Sequence, residues 1–278
     1  MLFRSIEPAI HIPPDAHDIT ISSDGMVSAM QPGQTAATQL GQLTLARFAN
    51  PPGLQAIGGN LYLETNLSVG DTNLHWLLEG RPDEAREVVD EAMRRWSRRD
   101  FQVQHWYELH SRGQIDLYQG DPRAALERID AGWGDLRRSM QLRVQISRIK
   151  ALHLRARAAL ATAALRPSER ALIVRATHDA HALEREGGPW SRALSRSVRA
   201  GAARIQGDLE ATHEHLVQAI AAYEEADMIM HAAFARRALG VLQAGDAGRS
   251  MREQADLELE RMGLVEREPI GRLLIPGV

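Results

Sequence analysis

Cysteine is absent from the 278-residue chain, and several kinds of chemistry are excluded with it. Without a thiol there can be no disulfide framework, no thiolate nucleophile and no zinc site built on cysteine. Lysine is almost absent too, because Lys150 is the only one. The lack of cysteine fits a reducing compartment, and the preference for arginine suggests a source of high genomic G+C content.

Long apolar runs are also missing. No stretch approaches the roughly 18 apolar residues of a membrane-spanning helix, and the first residues lack the apolar core of a secretory signal. The net charge is only -3, so the overall balance attracts neither nucleic acid nor an anionic membrane. We therefore expect a cytoplasmic protein that binds neither of them.

Charge is distributed unevenly along the chain. The first 70 residues carry only seven formal charges, whereas the whole chain has 33 Lys and Arg and 36 Asp and Glu. The hydrophobic period changes at the same place, from alternation to a helical spacing. We predict a β-rich segment at residues 1–66, a junction at 67–71 and a helical domain at 72–278.

The first segment has the alternation and turn signals of short strands. Strands are predicted over residues 18–22, 26–30, 39–48 and 61–63. Asp24-Gly25 is a hairpin signal between the first two strands, and Leu43 and Leu45 share one face of the third. The segment is therefore predicted to be rich in β-hairpins.

After the junction, apolar residues recur at i, i+3, i+4, i+7 and i+8, which is the spacing of one helical face. Three such stripes lie at residues 85, 88, 89, 92, 93 and 96, at 142, 146, 149, 156 and 160, and at 216, 219, 220 and 223. Alanine is abundant and β-branched runs are rare, and both favour helix.

Turn signals separate these helices at a regular interval. They are Gly80-Arg81, Gly120-Asp121, Gly207-Asp208 and Gly245-Asp246, with one further break assigned to residues 166–168. The period of about 40 residues is that of a helix-turn-helix unit, slightly longer than a tetratricopeptide repeat. One hairpin cannot bury its apolar stripe alone, so stacked neighbours complete the core. The predicted fold is mainly α, a tetratricopeptide-like array of helical hairpins after a short β-hairpin-rich segment. The alternative is a non-repetitive helical bundle.

The helical domain resembles the C-terminal tail of large bacterial serine/threonine protein kinases. The resemblance rests on residues 71–74, 104–107, 114–121 (Gln-Ile-Asp-Leu-Tyr-Gln-Gly-Asp), 151–158, 226–228, 231–233 and 272–277. In that family a kinase domain precedes a long tetratricopeptide-like tail. None of the kinase motifs occurs here, neither the Gly-rich loop, the strand lysine, the catalytic loop nor the metal-binding Asp-Phe-Gly. The resemblance therefore implies a regulatory or scaffolding tail without its kinase.

Residues 6–66 resemble part of a different family, the bacterial flagellar basal-body distal rod proteins. The matching runs are residues 10–16, 19–21, 24–28, 41–51, 53–54 and 60–65. This resemblance implies a structural role in flagellar assembly, with rod subunits as partners and the basal body as location. Because no biological reason joins the two families, we interpret the reading frame as a possible chimera of two genes.

Metal and catalytic sites have weak support in the sequence. His178 and His181 are spaced for one helical face, whereas His213 and His215 are not. Tight metal sites need three or four converging ligands, so the plainer interpretation is a set of surface or partly buried imidazoles. No serine-nucleophile elbow or dinucleotide-binding context is present. We therefore predict no catalytic residue, no cofactor and no metal.

Aromatic and arginine residues are the best candidates for contacts with a partner. The candidates are Trp76, Trp106, Tyr107, Arg94 and Arg98. Most aromatics in such arrays pack between helices, and adjacent Trp106 and Tyr107 must point in different directions, so at least one is expected in the core. Arg94 and Arg98 belong to a basic patch at a helix end, which either complements the helix dipole on a solvated face or docks an acidic peptide.

The predicted function is therefore a non-catalytic protein–protein interaction module. Its mechanism would be the capture of a peptide or helix on the concave surface of stacked hairpins. The alternative is a flagellar rod structural protein, acting through the N-terminal segment.

Overall fold

The computed structural model describes residues 10–22, 25–34, 36–42, 55–58, 61–63, 76–94, 101–166, 168–264, 266–275 and 277. The chain divides into two compact units, Met1–Phe48 and Ala49–Val278. The predicted junction at 67–71 lies outside the described residues.

The first unit contains a three-stranded antiparallel sheet. Its strands are β1 (His17–Ile21), β2 (Met26–Met30) and β3 (Thr38–Gln42), in the order β1-β2-β3. The predicted hairpin is confirmed, with Thr20 opposite Ser28 and Gly25 in the left-handed region at φ 84°. The central strand buries Val27 and Ala29.

A second hairpin pairs β4 (Gln55–Gly58) with β5 (Leu61–Leu63), also antiparallel. β5 was predicted, but β4 was not, because four residues that end in glycine carry little strand pattern. The third predicted strand overlaps β3 at residues 39–42, and its predicted continuation to residue 48 lies outside the described residues. Leu43 and Leu45 lie outside the described residues.

From residue 76 onward, the described part of the second unit is helical, as predicted. Its described α-helices are α1 (Pro82–Arg94), α2 (Val103–Tyr118), α3 (Pro122–Arg138), α4 (Gln145–Leu165), α5 (Arg170–Glu184), α6 (Pro189–Gln206), α7 (Leu209–Glu225), α8 (Ile229–Leu242), α9 (Gly245–Arg261) and α10 (Arg267–Leu274). Residues 76–78 are helical as well. No helix among the described residues combines the length and hydropathy that a membrane span requires.

These helices form stacked hairpins. We call α2, α4, α6 and α8 the A helices, and the helix after each of them its B helix. Each A helix packs on its own B helix, and each B helix packs on the next A helix, as α3 does on α4. In addition, α2 contacts α4 and α4 contacts α6, so the first three A helices also pack on one another.

Three of the turn signals found in the sequence, Gly120, Gly207 and Gly245, lie at the junction of the A and B helices of a hairpin, and Gly80 lies just before α1. Gly80, Gly120, Gly207 and Gly245 all have positive φ, between 76° and 81°, a conformation that glycine adopts without strain. Asp121 and Asp208 then cap the B helices, because their carboxylates accept the amide N–H of Ala124 and Ala211 at 3.0 Å. The period of about 40 residues therefore corresponds to one hairpin.

One large hydrophobic cluster runs through the array. Leu216, Ala219 and Tyr223 of the predicted stripe on α7 are fully buried. The stripe assigned to α4 is corrected at its start, because Leu142 lies in a 3-10 turn before the helix and Ile146 is 48% exposed. Both residues precede the point at which α4 becomes covered by its neighbours.

Replacing Asp121 with alanine is expected to lower the free energy of unfolding by about 1 kcal/mol, because the first turn of α3 loses its cap. Asp121→Asn is the matched control, since its amide oxygen still accepts the Ala124 N–H. Urea denaturation followed by circular dichroism measures both variants. Equal losses in the two variants would contradict the capping role.

Candidate functional site

The aromatic candidates differ in how much surface they offer. Trp106 is only 2% exposed and packs in a small cluster with Leu109, Leu136 and Ala151. It is therefore a core residue and offers no surface to a partner. The expectation that one of the two adjacent aromatics would be buried is confirmed, and Tyr107 is partly buried.

The other candidates lie apart from Trp106. Trp76 packs against the large cluster, with the Arg81 guanidinium carbon 4.2 Å from its ring centroid. Arg94 is exposed and forms an ion pair with Glu91 of the same helix. Arg98 lies outside the described residues, as do Arg95 and Arg99, so the predicted basic patch stays a prediction.

The structure points to a different surface, on the inner side of the A helices. α10 packs against α2, α4 and α8. Its apolar residues are almost completely buried, namely Ile270, Leu273, Leu274 and the following Ile275. Burying each such side chain stabilises the folded chain by about 1.5–3 kcal/mol. We call the surface of α2, α4 and α8 that α10 covers the inner groove.

α10 bridges helices that lie far apart along the chain. It is an eight-residue helix, only about 12 Å long, yet it contacts α2, α4 and α8. The inner groove is therefore the surface that these three A helices present to one short helix.

Polar contacts hold α10 at its end and along its edge. The Arg157 Nη1 of α4 donates a hydrogen bond to the Leu273 carbonyl at 2.7 Å. Arg237 of α8 binds Glu268 at 2.6 Å. Arg267 approaches Asp256 of α9, with 3.9 Å between its Nη1 and the carboxylate. The polar contacts of α10 thus involve one of its main-chain carbonyls and two of its charged side chains, Arg267 and Glu268.

A layer of buried or partly buried polar side chains surrounds Arg157, which is itself 3% exposed. The layer consists of His153, Ser197, Tyr223 and His231, contributed by four different helices. The rings of Tyr223 and His231 are 5.2 Å apart. Burial raises the pKa of Tyr223 to about 12, against smaller lowering effects of Ser197 and Arg157. Both its hydroxyl and that of Ser197 lack a hydrogen bond of normal geometry within the described residues.

Both histidines of this layer favour the neutral form. Burial, and then the charge of Arg157, lowers the pKa of His231 to about 4. Burial also lowers the pKa of His153 well below its usual value, and the charges of Arg157, His231 and His110 act in the same direction. The layer therefore carries the fixed positive charge of Arg157, and protonation of either histidine is disfavoured.

Lowering the pH from 7 to 4.5 is consequently expected to destabilise the helical unit. The unfolded chain protonates His231 near pH 6.5, whereas the folded chain does so only near 4. Stability from neutral His231 is therefore complete above pH 6.5 and is lost as the pH falls towards 4. The shift corresponds to about 3 kcal/mol at most, reduced by the partial exposure of the ring.

His231→Phe keeps an aromatic ring beside Tyr223 and removes the titration. The difference in thermal midpoint between pH 7 and pH 4.5 should become smaller in this variant than in the unmodified chain. His178→Phe, at an exposed position, is the control. An unchanged difference in His231→Phe would contradict the assignment.

The histidine pairs considered as metal ligands do not converge. His181 contacts Arg199 at 3.0 Å, and His213 contacts the amide of Gln243 at 3.3 Å. Within the part of the chain that the structure describes, no three His, Asp or Glu side chains are placed to hold a metal ion. These imidazoles make ordinary side-chain contacts.

Sequence reasoning missed Arg157 and the position of α10. A signal was available, since Arg157 lies inside an alanine-rich stretch that should be buried, and a buried arginine requires an acceptor. The acceptor is a carbonyl 116 residues further along the chain. That distance in sequence explains why no local pattern could reveal it.

Fold and groove together define a helical-hairpin repeat protein with a short helix packed against three of its A helices. Comparison with curated proteins matches only a short part of the chain. The flagellar basal-body rod protein FlgG of Caulobacter vibrioides is 49% identical over 63 residues, and that of Agrobacterium fabrum is 48% identical over 64 residues. FlgG of Buchnera aphidicola is 46% identical over 63 residues.

These matches are limited in extent. Each of them covers 23% of this chain, and the chain spans only 24% of the length of these relatives. No family model matches the chain, and no solved structure matches it. A segment of the chain is thus similar to flagellar rod proteins, in agreement with the resemblance seen in the sequence.

Proposed function

We propose that the helical unit is a non-catalytic protein–protein interaction scaffold that binds a helix in its inner groove. The observation that carries the proposal is α10 itself, since the groove already holds a helix through apolar contacts, one main-chain carbonyl and rim charges. Helix-in-groove binding is a recurrent mode of peptide recognition. The partner is a protein or peptide, with no role for nucleic acid, membrane, metal or cofactor.

The motifs shared with bacterial kinase tails are compatible with this proposal. Residues 114–121 form the end of α2 and the capped turn to α3, and residues 151–158 form the part of α4 that is mostly buried. They therefore describe how hairpins are built and stacked. We propose a regulatory tail of tetratricopeptide type, located in the cytoplasm.

Cross-linking with the full chain tests the scaffold proposal. A photoreactive residue placed at Leu165, which is 70% exposed and lines a cavity beside α10, should trap a partner. The same residue at exposed Val174 of α5 is the control and should not. The trapped protein, once purified, should bind the unmodified chain saturably in a 1:1 complex. If partners bound only the N-terminal segment, the scaffold proposal would be wrong.

The flagellar matches favour a second candidate function, which is a structural role with rod subunits in the basal body. It would rest on the N-terminal segment alone. Binding of purified FlgG to the full chain, and loss of that binding when residues 10–42 are deleted, would support it. FlgG that binds both chains equally would exclude this segment as the contact.

We also propose that the two parts derive from different genes. The charge density and hydrophobic period change between them, and the flagellar matches cover only 23% of the chain. A single long read across codons 55 to 85 of the source DNA decides the matter. Continuous genomic sequence there would show that the two parts belong to one natural gene.

A further inference from the structure

We propose that α10 is an exchangeable ligand of the inner groove, and that the partner is an amphipathic helix which replaces it. The partner helix would carry the α10 pattern, with apolar residues at i, i+3, i+4 and i+5 and an acidic residue at i−2. This inference rests on the proposed function, because it names the chemistry of the helix that the scaffold binds.

The pattern follows from the contacts of α10. Ile270, Leu273, Leu274 and Ile275 occupy the apolar floor of the groove and are all nearly inaccessible. Glu268, two residues before the first of them, binds Arg237 at the rim at 2.6 Å. An apolar face with one acidic residue at its N-terminal end is therefore the feature that the groove recognises.

One contact is independent of side-chain identity. Arg157 binds the carbonyl of Leu273, and any helix seated in the same position would present a free carbonyl in its last turn. A buried guanidinium with this geometry can therefore serve a helix from another chain as well as α10.

α10 leaves part of the groove unfilled. A cavity of about 320 Å³ remains beside it, lined by α4, the turn between α2 and α3, and Arg272, Ile275 and Gly277 of the C-terminal segment. Unfilled volume weakens binding, because the atoms that line it lose contacts. A helix that fills the cavity would therefore bind more tightly than α10.

α10 is joined to the array by one turn. α9 ends at Arg261, and Gly263 follows with φ 77°. Exchange of α10 would change the chain only after this turn, and the A and B helices would keep their contacts with one another.

Peptide binding provides the first test. A fluorescent peptide of residues 264–278 should bind a chain of residues 1–263, and should bind the full chain at least about tenfold more weakly, because α10 competes in cis. The peptide with Leu273→Asp should not bind, and the peptide with Glu268→Lys should bind weakly. A folded 1–263 chain that ignores the peptide would overturn the proposal.

A tether in the full chain provides the second test. A Cβ at Gly80 would lie 4.0 Å from the Glu266 Cβ, within the range of about 3.5–4.5 Å that a disulfide requires. Gly80→Cys with Glu266→Cys gives the chain its only two thiols. The oxidised form should bind the peptide at least about tenfold more weakly than the reduced form, since the bridge keeps α10 in place. Equal binding by both forms would contradict exchange.

Hydrogen exchange on the unmodified full chain decides the outcome even if the shortened chain does not fold. The amides of 267–274 should exchange by local opening, well before those of α4 and α6. Exchange of all three helices together would show that α10 is an integral part of the core. None of these measurements needs the natural partner. The exchange proposal can therefore fail while the scaffold proposal stands, and the scaffold proposal can fail while α10 still exchanges.

Discussion

Replacing Arg155 with methionine is expected to lower the thermal midpoint of the helical unit by about 10 °C, from a loss of 3–5 kcal/mol. Arg155 of α4 binds both carboxylate oxygens of Asp179 of α5, at 2.6 and 2.8 Å. Its guanidinium carbon also lies 3.6 Å from the ring centroid of Trp133 of α3. One side chain therefore joins three helices from two hairpins.

The effect is large because Asp179 has no exposed surface. Without arginine its carboxylate would remain buried beside only a distant contact, His178 at 3.7 Å, and an unpaired buried charge is costly. Arg155→Met together with Asp179→Leu should recover most of the loss, because it removes both charges. Calorimetry on the single and double variants tests this coupling.

Arg123→Met is the matched control, since Arg123 pairs with Glu127 on the surface at 2.9 Å. Exposed pairs contribute only about 0–1 kcal/mol, so this variant should unfold close to the unmodified chain. Similar losses at positions 123 and 155 would show that burial of the pair is not the cause.

Replacing Gly248 with alanine should destabilise the chain by about 3 kcal/mol, although alanine is the better helix former. A Cβ at this position of α9 would lie 2.1 Å from the Gln243 carbonyl oxygen and 2.7 Å from that of Gly240. Both obstacles are backbone atoms of α8 and its end, so the two helices would have to move apart. Thermal unfolding should show a midpoint about 8 °C lower.

Gly134→Ala in α3 should have the opposite sign. The nearest atom to its Cβ would be the flexible Arg138 guanidinium, at 3.5 Å, and the position is exposed. The gain from reduced backbone entropy is about 0.5–1 kcal/mol. If both glycine replacements changed stability in the same direction, close helix packing at Gly248 would not be the cause.

The proposed exchange of α10 also changes how the repeat array is understood. The sequence suggested a surface open to a partner, whereas in the structure the C-terminal segment covers the inner groove. Binding would then depend on the difference in affinity between α10 and the partner helix, and not on the affinity of the partner alone. Changes in α10 should therefore alter partner affinity without touching any partner contact.

Local patterns in the sequence determined the helices, the hairpin turns and the first β-hairpin. Glycine at positive φ and aspartate at a helix N-terminus act through neighbouring residues, so Gly120 and Asp121 could be interpreted without tertiary information. The repeat spacing is also a local pattern, because each helical hairpin lies within one continuous segment of the chain. The period of about 40 residues therefore predicted the hairpins.

Only the tertiary structure decided which surface is free and which is filled. The sequence alone does not distinguish Trp106 from Tyr107 as the buried residue. Trp106 is buried because Leu136 and Ala151 from other helices pack against it. The partner of Arg157 is even more remote, at Leu273. Such contacts depend on how all the repeats stack, because the small rotation between one repeat and the next accumulates along the array. The sequence therefore predicted a groove, and the fold determined that a helix of the same chain occupies it.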